Sequence, residues 1–152
     1  HCFALDGKLV SNSLFLIEPV LNSIAEKFQS NVEIINAHGN LMMPSAITTE
    51  KLDMPHIDLD GTPDDFYTAI FYLHDSKEPT VVYNETADSN STIDVSNLSI
   101  KTKVIPKKNR LSIWRTPRIH AAPGSAATPR IVINLNFRIL DQRHITSHHT
   151  YN

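Results

Sequence analysis

The stretch "PKKNRLSIWRTPRIHAAPGSAATPRIVINLNF", residues 106–137, decides how this chain is read. A turn, Pro106-Lys107-Lys108-Asn109, is followed by two short runs, "RLSIW" and "RIHAA". A loop, "PGSAATP", then leads into "RIVINLNFRIL", the most strongly apolar strand of the sequence. Turn-forming residues between runs of β-branched and aromatic residues mark strands connected in succession. Arg130 opens that last strand, and a guanidinium buried there is costly unless an anion meets it. Its rigid two-pronged fork suits a carboxylate. His120 lies ten residues earlier, and Asn134 shares the Arg130 face by even spacing along the strand.

Upstream, "MPHIDLDG" at residues 54–61 places His56 and Asp58 two positions apart. On a strand both side chains point to one face, about 6 to 7 Å apart along the backbone. Two such groups can hold one metal ion if a third ligand arrives from a neighbouring strand, and His120 is the histidine with supporting features. Two histidines and one carboxylate on one face of an octahedron form the facial triad of non-haem iron(II) oxygenases. Asp60 reads as a turn residue, or as a substitute for Asp58 if the strand register slips. His74, at a strand end, reads as solvated. Trp114 reads as core or pocket wall, and His148 and His149 as tail.

The rest of the chain sets these residues in a mainly β frame. From Met54 onward about seven strands are expected: "HIDLD", "FYTAIFYL", "TVVYNE", "IKTKVIP", "RLSIW", "RIHAA" and "RIVINLNFRIL". Turns every 8 to 12 residues are the signature of a sandwich or barrel. Gly61 to Asp65 closes the first of them, and residues 86–99 read as a long surface loop. Before Met54, Val20, Leu21, Ile24, Ala25 and Phe28 repeat at helical spacing. Pro19 suits the first turn, so a helix is expected from near Pro19 to near Ser30. "LFLI" before it is a candidate strand, as is "NVEIIN" after it. "AHGNLMMPSAITTE", residues 37–50, reads equally as a lid or as a core strand.

At 152 residues with 41% hydrophobic and 20% charged content, the chain is long enough for one domain with a real core. The expected division is a helical support over about 13–30 and a β core over about 54–140. A formal net charge of −2 and the absence of a long basic patch argue against a nucleic-acid partner. Cys2 is the single cysteine, which excludes an internal disulfide and a cysteine-based zinc site. No apolar run approaches the roughly 20 residues that span a bilayer, and the first residues lack signal-peptide order. A soluble cytoplasmic protein is therefore expected. Asn-x-Ser/Thr strings at Asn84, Asn90 and Asn97 read as chance in a region rich in those residues.

Over roughly residues 54–137 the sequence resembles the 2-oxoglutarate/Fe(II)-dependent dioxygenases, in particular their prolyl-hydroxylase-like branch. "HIDLD" is similar to the family's first iron-binding strand, "YTAIFYLH" to the next, and residues 106–137 to its closing block. "EPTVVYNE" falls where the family carries a Gly-Gly-x-Thr segment, here without the glycines. The resemblance implies a double-stranded β-helix, a jelly-roll with the metal near its mouth and the N-terminal helix packed on it. It also implies Fe(II) held by His56, Asp58 and His120, with 2-oxoglutarate as co-substrate. Arg130 would grip the far carboxylate, with Tyr72 adding a hydroxyl and Asn134 facing the pocket. The implied reaction hydroxylates a C–H bond of a peptidyl residue or small molecule, releasing succinate and carbon dioxide. A jelly-roll scaffold or virion protein without turnover is the alternative, and a cupin-like metal isomerase a third.

Overall fold

The computed structural model describes residues 1–44, 54–59, 65–88, 91–122 and 129–140. Nine strands and one α-helix lie among them: β1 (Cys2–Leu5), β2 (Lys8–Leu9), α1 (Glu18–Phe28), β3 (Asn31–Met42), β4 (Phe66–Tyr72), β5 (Thr80–Thr86), β6 (Ile100–Val104), β7 (Leu111–Arg115), β8 (Arg118–Ala121) and β9 (Arg130–Leu140). They form a six-stranded sheet, β2-β1-β3-β9-β4-β7, and a three-stranded sheet, β6-β5-β8. All pairings are antiparallel. A single bridge between His56 and His120 adds the 54–59 segment beside β8. From β4 onward the chain passes repeatedly between the two sheets. Strands β5 and β6 lie in the three-stranded sheet, β7 in the six-stranded one, β8 back in the first and β9 in the second, as in a double-stranded β-helix.

Strand β9 explains how this fold makes a site. Its side chains alternate faces with period two. Ile133, Leu135 and Phe137 enter the cluster formed with Ile17, Val20 and Ile24 from the helical side. The even-numbered residues face the other way, where Val132 joins Ile70 and Tyr72 of β4, with Trp114 and Val104 packed against them. A strand covered on both faces reads as nearly continuous apolar sequence. Of its polar residues, Arg138, near the strand's end, is part-exposed and pairs with Glu33 of β3, while Arg130, Asn134 and Asn136 fall on the inner face. The register holds them there: Ile70 lies opposite Asn134 and Thr68 opposite Asn136.

Helix α1 matches its sequence signals. Pro19 sits in the first turn, Glu18 supplies the acidic residue, and Lys27 lies in the last turn. Val20 and Ile24 are the buried stripe. The helix stops at Gln29, whose φ of 51° is left-handed, and the Gln29 N–H returns to Ala25 and Glu26 carbonyls.

Several expectations change. "LFLI" is not a strand: Leu14–Leu16 closes a 3-10 turn that runs into α1, with Ile17 buried. "NVEIIN" extends to Met42, so residues 37–42 belong to a sheet strand paired with β9 along its length, while 45–50 of the same stretch lie outside the described residues. "HIDLD" is not a regular strand. Pro55 has no N–H to extend the ladder, and only His56 exchanges hydrogen bonds with His120, both at 3.0 Å. Asp58 lies in a bend. An unforeseen hairpin, β1–β2, turns at Asp6-Gly7, with φ values of 49° and 72°. His74 is not simply solvated: its Nε2 accepts the Ile131 N–H at 3.0 Å. The expectations for Asp60, the 61–64 turn, Asn90, the 123–128 loop and the tail with His144, His148 and His149 lie outside the described residues. No helix among the described residues is long and apolar enough to cross a membrane.

Candidate metal centre

His120 arrives on β8 and is buried, with 3% of its side chain exposed. The bridge to His120 fixes the backbone of His56, and the bend that follows turns Asp58 toward both imidazoles. Asp58 Oδ1 lies 3.8 Å from His56 Nε2 and 3.6 Å from His120 Nε2. One donor atom from each of the three residues falls within 4.8 Å of the others. Two ligands of one ion, each about 2.1 Å from it, can be no more than roughly 4.2 Å apart. Both Asp58 separations satisfy that limit.

The hydrogen bonds behind the histidines orient them for this task. His56 Nδ1 donates to the Met54 carbonyl at 2.9 Å, and His120 Nδ1 donates to the Arg118 carbonyl at 3.2 Å. A carbonyl only accepts, so Nδ1 carries the hydrogen in both rings. In the neutral form that a metal requires, each ring would therefore turn an Nε2 lone pair toward Asp58. Histidine ligands in metal sites are fixed in this way. The donor set fits a divalent first-row ion with open coordination positions.

The carboxylate is held as firmly as the imidazoles. Asn136 Nδ2 donates to Asp58 Oδ2 at 3.1 Å and to Thr68 Oγ1 at 3.1 Å, so both of its N–H groups are used. Asn134 Nδ2 reaches Asp58 Oδ2 only at 3.5 Å. Burial pushes the Asp58 carboxyl up, but without a metal the hydrogen bond and charge offered by His120, the Asn136 N–H and the charge of His56 outweigh burial. The group is held at about 2, below its ordinary 3.8.

Above the triad lies a cavity of about 370 Å³, lined by His56, His120, Arg130, Asn134, Leu41 and Met42 among others. Arg130 is 1% exposed. Its Nη2 donates to Thr80 Oγ1 at 2.6 Å, and the Tyr72 hydroxyl meets that same oxygen at 2.6 Å. The Arg130 guanidinium also lies 5.7 Å from the Tyr72 ring centre. His56, Asp58, His120, Arg130 and Asn134 thus come together. Tyr72 is behind them, fully buried and holding Arg130 through Thr80.

Three contributors escaped the sequence reading: Asn136, Thr68 and Thr80. Asn136 had a usable signal, because the even spacing that singled out Asn134 also includes it. Thr80 had none, since a threonine among valines is ordinary strand composition.

No protein-family model matches the sequence, and no curated protein matches it. Solved structures do share its fold. An oxidoreductase of the 2OG-Fe(II) oxygenase family from Burkholderia pseudomallei is 13% identical with a TM-score of 0.61, covering 90% of this chain and 65% of its own. AviO1 from Streptomyces viridochromogenes Tue57 is 10% identical with a TM-score of 0.59, covering 80% and 57%. An N-substituted L-amino acid dioxygenase from Burkholderia ambifaria AMMD is 12% identical with a TM-score of 0.51, covering 72% and 54%. This chain spans between about half and two-thirds of their lengths. Its fold is that of the 2OG-Fe(II) oxygenase structures.

Proposed function

We propose that this chain carries the catalytic core of an Fe(II)- and 2-oxoglutarate-dependent dioxygenase that hydroxylates a C–H bond. The observation that carries the reading is a joint one. Two Nε2 lone pairs and one ionised carboxylate converge at the floor of a cavity that also holds a buried guanidinium. A metal triad alone fits many chemistries. A triad sharing a pocket with Arg130 fits a metal whose co-substrate bears a second, distant carboxylate.

In this reading His56, Asp58 and His120 hold Fe(II), and Arg130 pairs with the far carboxylate of 2-oxoglutarate. Thr80 and Tyr72 hold the guanidinium in place, so Tyr72 acts through Thr80 as a positioning residue. Asn134 lines the wall between triad and guanidinium, and Asn136 keeps Asp58 oriented and ionised. Bound iron and 2-oxoglutarate supply the oxidising chemistry, with release of succinate and carbon dioxide. Leu41 lines the cavity yet is 59% exposed, so it lies at the mouth. An exposed apolar side chain there favours an uncharged, apolar part of a peptide or small molecule.

The test is spectroscopic. Anaerobic addition of Fe(II) and 2-oxoglutarate is expected to give the weak visible charge-transfer band of the chelate. His120→Ala abolishes the band. Arg130→Ala leaves metal binding intact and weakens 2-oxoglutarate binding by tenfold or more. A folded wild-type chain that binds no metal and shows no band refutes the enzyme and leaves a jelly-roll scaffold.

A further inference from the structure

A second cavity, of about 430 Å³, shares no lining residue with the one above the triad. It lies where β6, the last strand of the three-stranded sheet, approaches β7, the last strand of the six-stranded one. Its apolar lining includes Val82, Val104, Ile113 and Trp114. Lys101, Arg115 and Arg118 complete the lining together with Thr102 and Ser112, and no Asp or Glu is among the described lining residues.

Lys101 and Arg118 beside one cavity, with no carboxylate among its described lining residues, create a positive potential that an anion relieves. The cations are also differently constrained. Arg118 is fixed by Nη1, which donates to the Asn84 carbonyl at 2.8 Å and the Tyr83 carbonyl at 3.2 Å. Its Nε and Nη2 make no hydrogen bond among the described residues. Lys101 is exposed and has no ion pair among them. The Arg115 guanidinium lies 5.9 Å from the Tyr67 ring centre. A pre-set guanidinium beside a mobile ammonium suits an oxyanion. The cavity's size and apolar lining suit the body of a small organic molecule, since ligand pockets run from about 300 to 1,000 Å³.

We infer that this cavity is a binding site for a small organic anion with an apolar body, such as a medium-chain carboxylate. Lys101 and Arg118 meet the anionic head, and Val82, Val104, Ile113 and Trp114 cover the chain. The site is placed to matter, because Trp114 lines it and also lies 5.1 Å from the His120 ring. A ligand there stands one ring away from the triad. The inference does not depend on which metal, if any, the triad holds.

Trp114 is the only tryptophan in the sequence, so its fluorescence reports on this cavity directly. The experiment titrates the full chain, without added metal, with octanoate and separately with octanol. A saturable fluorescence change is expected with octanoate, and at least tenfold weaker binding with octanol. Lys101→Glu and Arg118→Gln should each weaken octanoate at least tenfold. Lys103→Glu, on the same strand but outside the cavity lining, should leave it within twofold. Lys101→Glu keeps the test decisive if Arg118→Gln fails to fold, since Lys101 is exposed and makes no packing contact in the core. No saturable change with octanoate, equal binding of octanol, or equal loss in Lys101→Glu and Lys103→Glu would each overturn the inference.

Discussion

Replacing Asn136 with leucine tests whether the residues behind the triad matter as much as those in it. Asn136→Leu keeps the branched four-atom side-chain shape on the inner face of β9 but removes the donor that Asp58 Oδ2 receives at 3.1 Å. A hydrogen bond to a charged group contributes about 1.5–3 kcal/mol. Loss of an outer partner of a metal ligand typically costs about 10- to 100-fold in affinity. At about 1.36 kcal/mol per decade, that is roughly 1.4–2.7 kcal/mol, so two independent magnitudes agree. Asn134 cannot compensate, because its Nδ2 stands at 3.5 Å, the weak end of hydrogen bonding. Calorimetric titration with Co(II) should therefore show 10- to 100-fold weaker binding in Asn136→Leu. Asn134→Leu should change it by less than about threefold. The Asp58 carboxyl should also rise from about 2 toward its ordinary 3.8 as the donor is lost. A correctly folded Asn136→Leu with wild-type metal affinity would refute the reasoning, because Asp58 would then need no support.

Three further outcomes follow from the same geometry. Phe137 is fully buried and packs at 5.6 Å on Tyr67 and 6.2 Å on Phe28, so Phe137→Ala should cost about 3–5 kcal/mol in urea unfolding. Gln29 holds the left-handed conformation that ends α1, and Gln29→Gly should raise stability by about 1 kcal/mol, read as a higher melting temperature. Asp58 has a folded value near 2 against 3.8, so its contribution of about 2 kcal/mol is complete above the unfolded value and disappears as pH falls through the folded one. Urea melts at pH 5 and pH 2 should show a loss smaller by about that amount in Asp58→Asn than in the wild type.

How much of this was legible depended on how local the signal was. The α1 helix could be read because its first-turn proline and apolar stripe lie within eleven residues. Six of the seven strands expected after Met54 exist, since alternation and turn residues are local. The hairpin at Asp6-Gly7 was readable in principle: two left-handed residues between short strands are what an Asp-Gly pair favours. It was obscured because β2 is only two residues long. The "HIDLD" segment misled in the opposite direction. Its composition favours a strand, yet Pro55 and the bend at Asp58 leave a single bridge.

The sequence by itself determined the β frame, the helix on it, and the set of His56, Asp58, His120 and Arg130 as residues worth placing together. It could do so because residue type, order and spacing carry donor chemistry and strand periodicity. Only the tertiary structure decided which atoms meet. The pairing of β4 with β9 sets Thr68 opposite Asn136, and the pairing of β5 with β8 sets Val82 opposite His120. Thr80, 50 residues from Arg130, comes within 2.6 Å of it. Contacts of that range depend on strand register across two sheets, and no local stretch of sequence encodes register on its own.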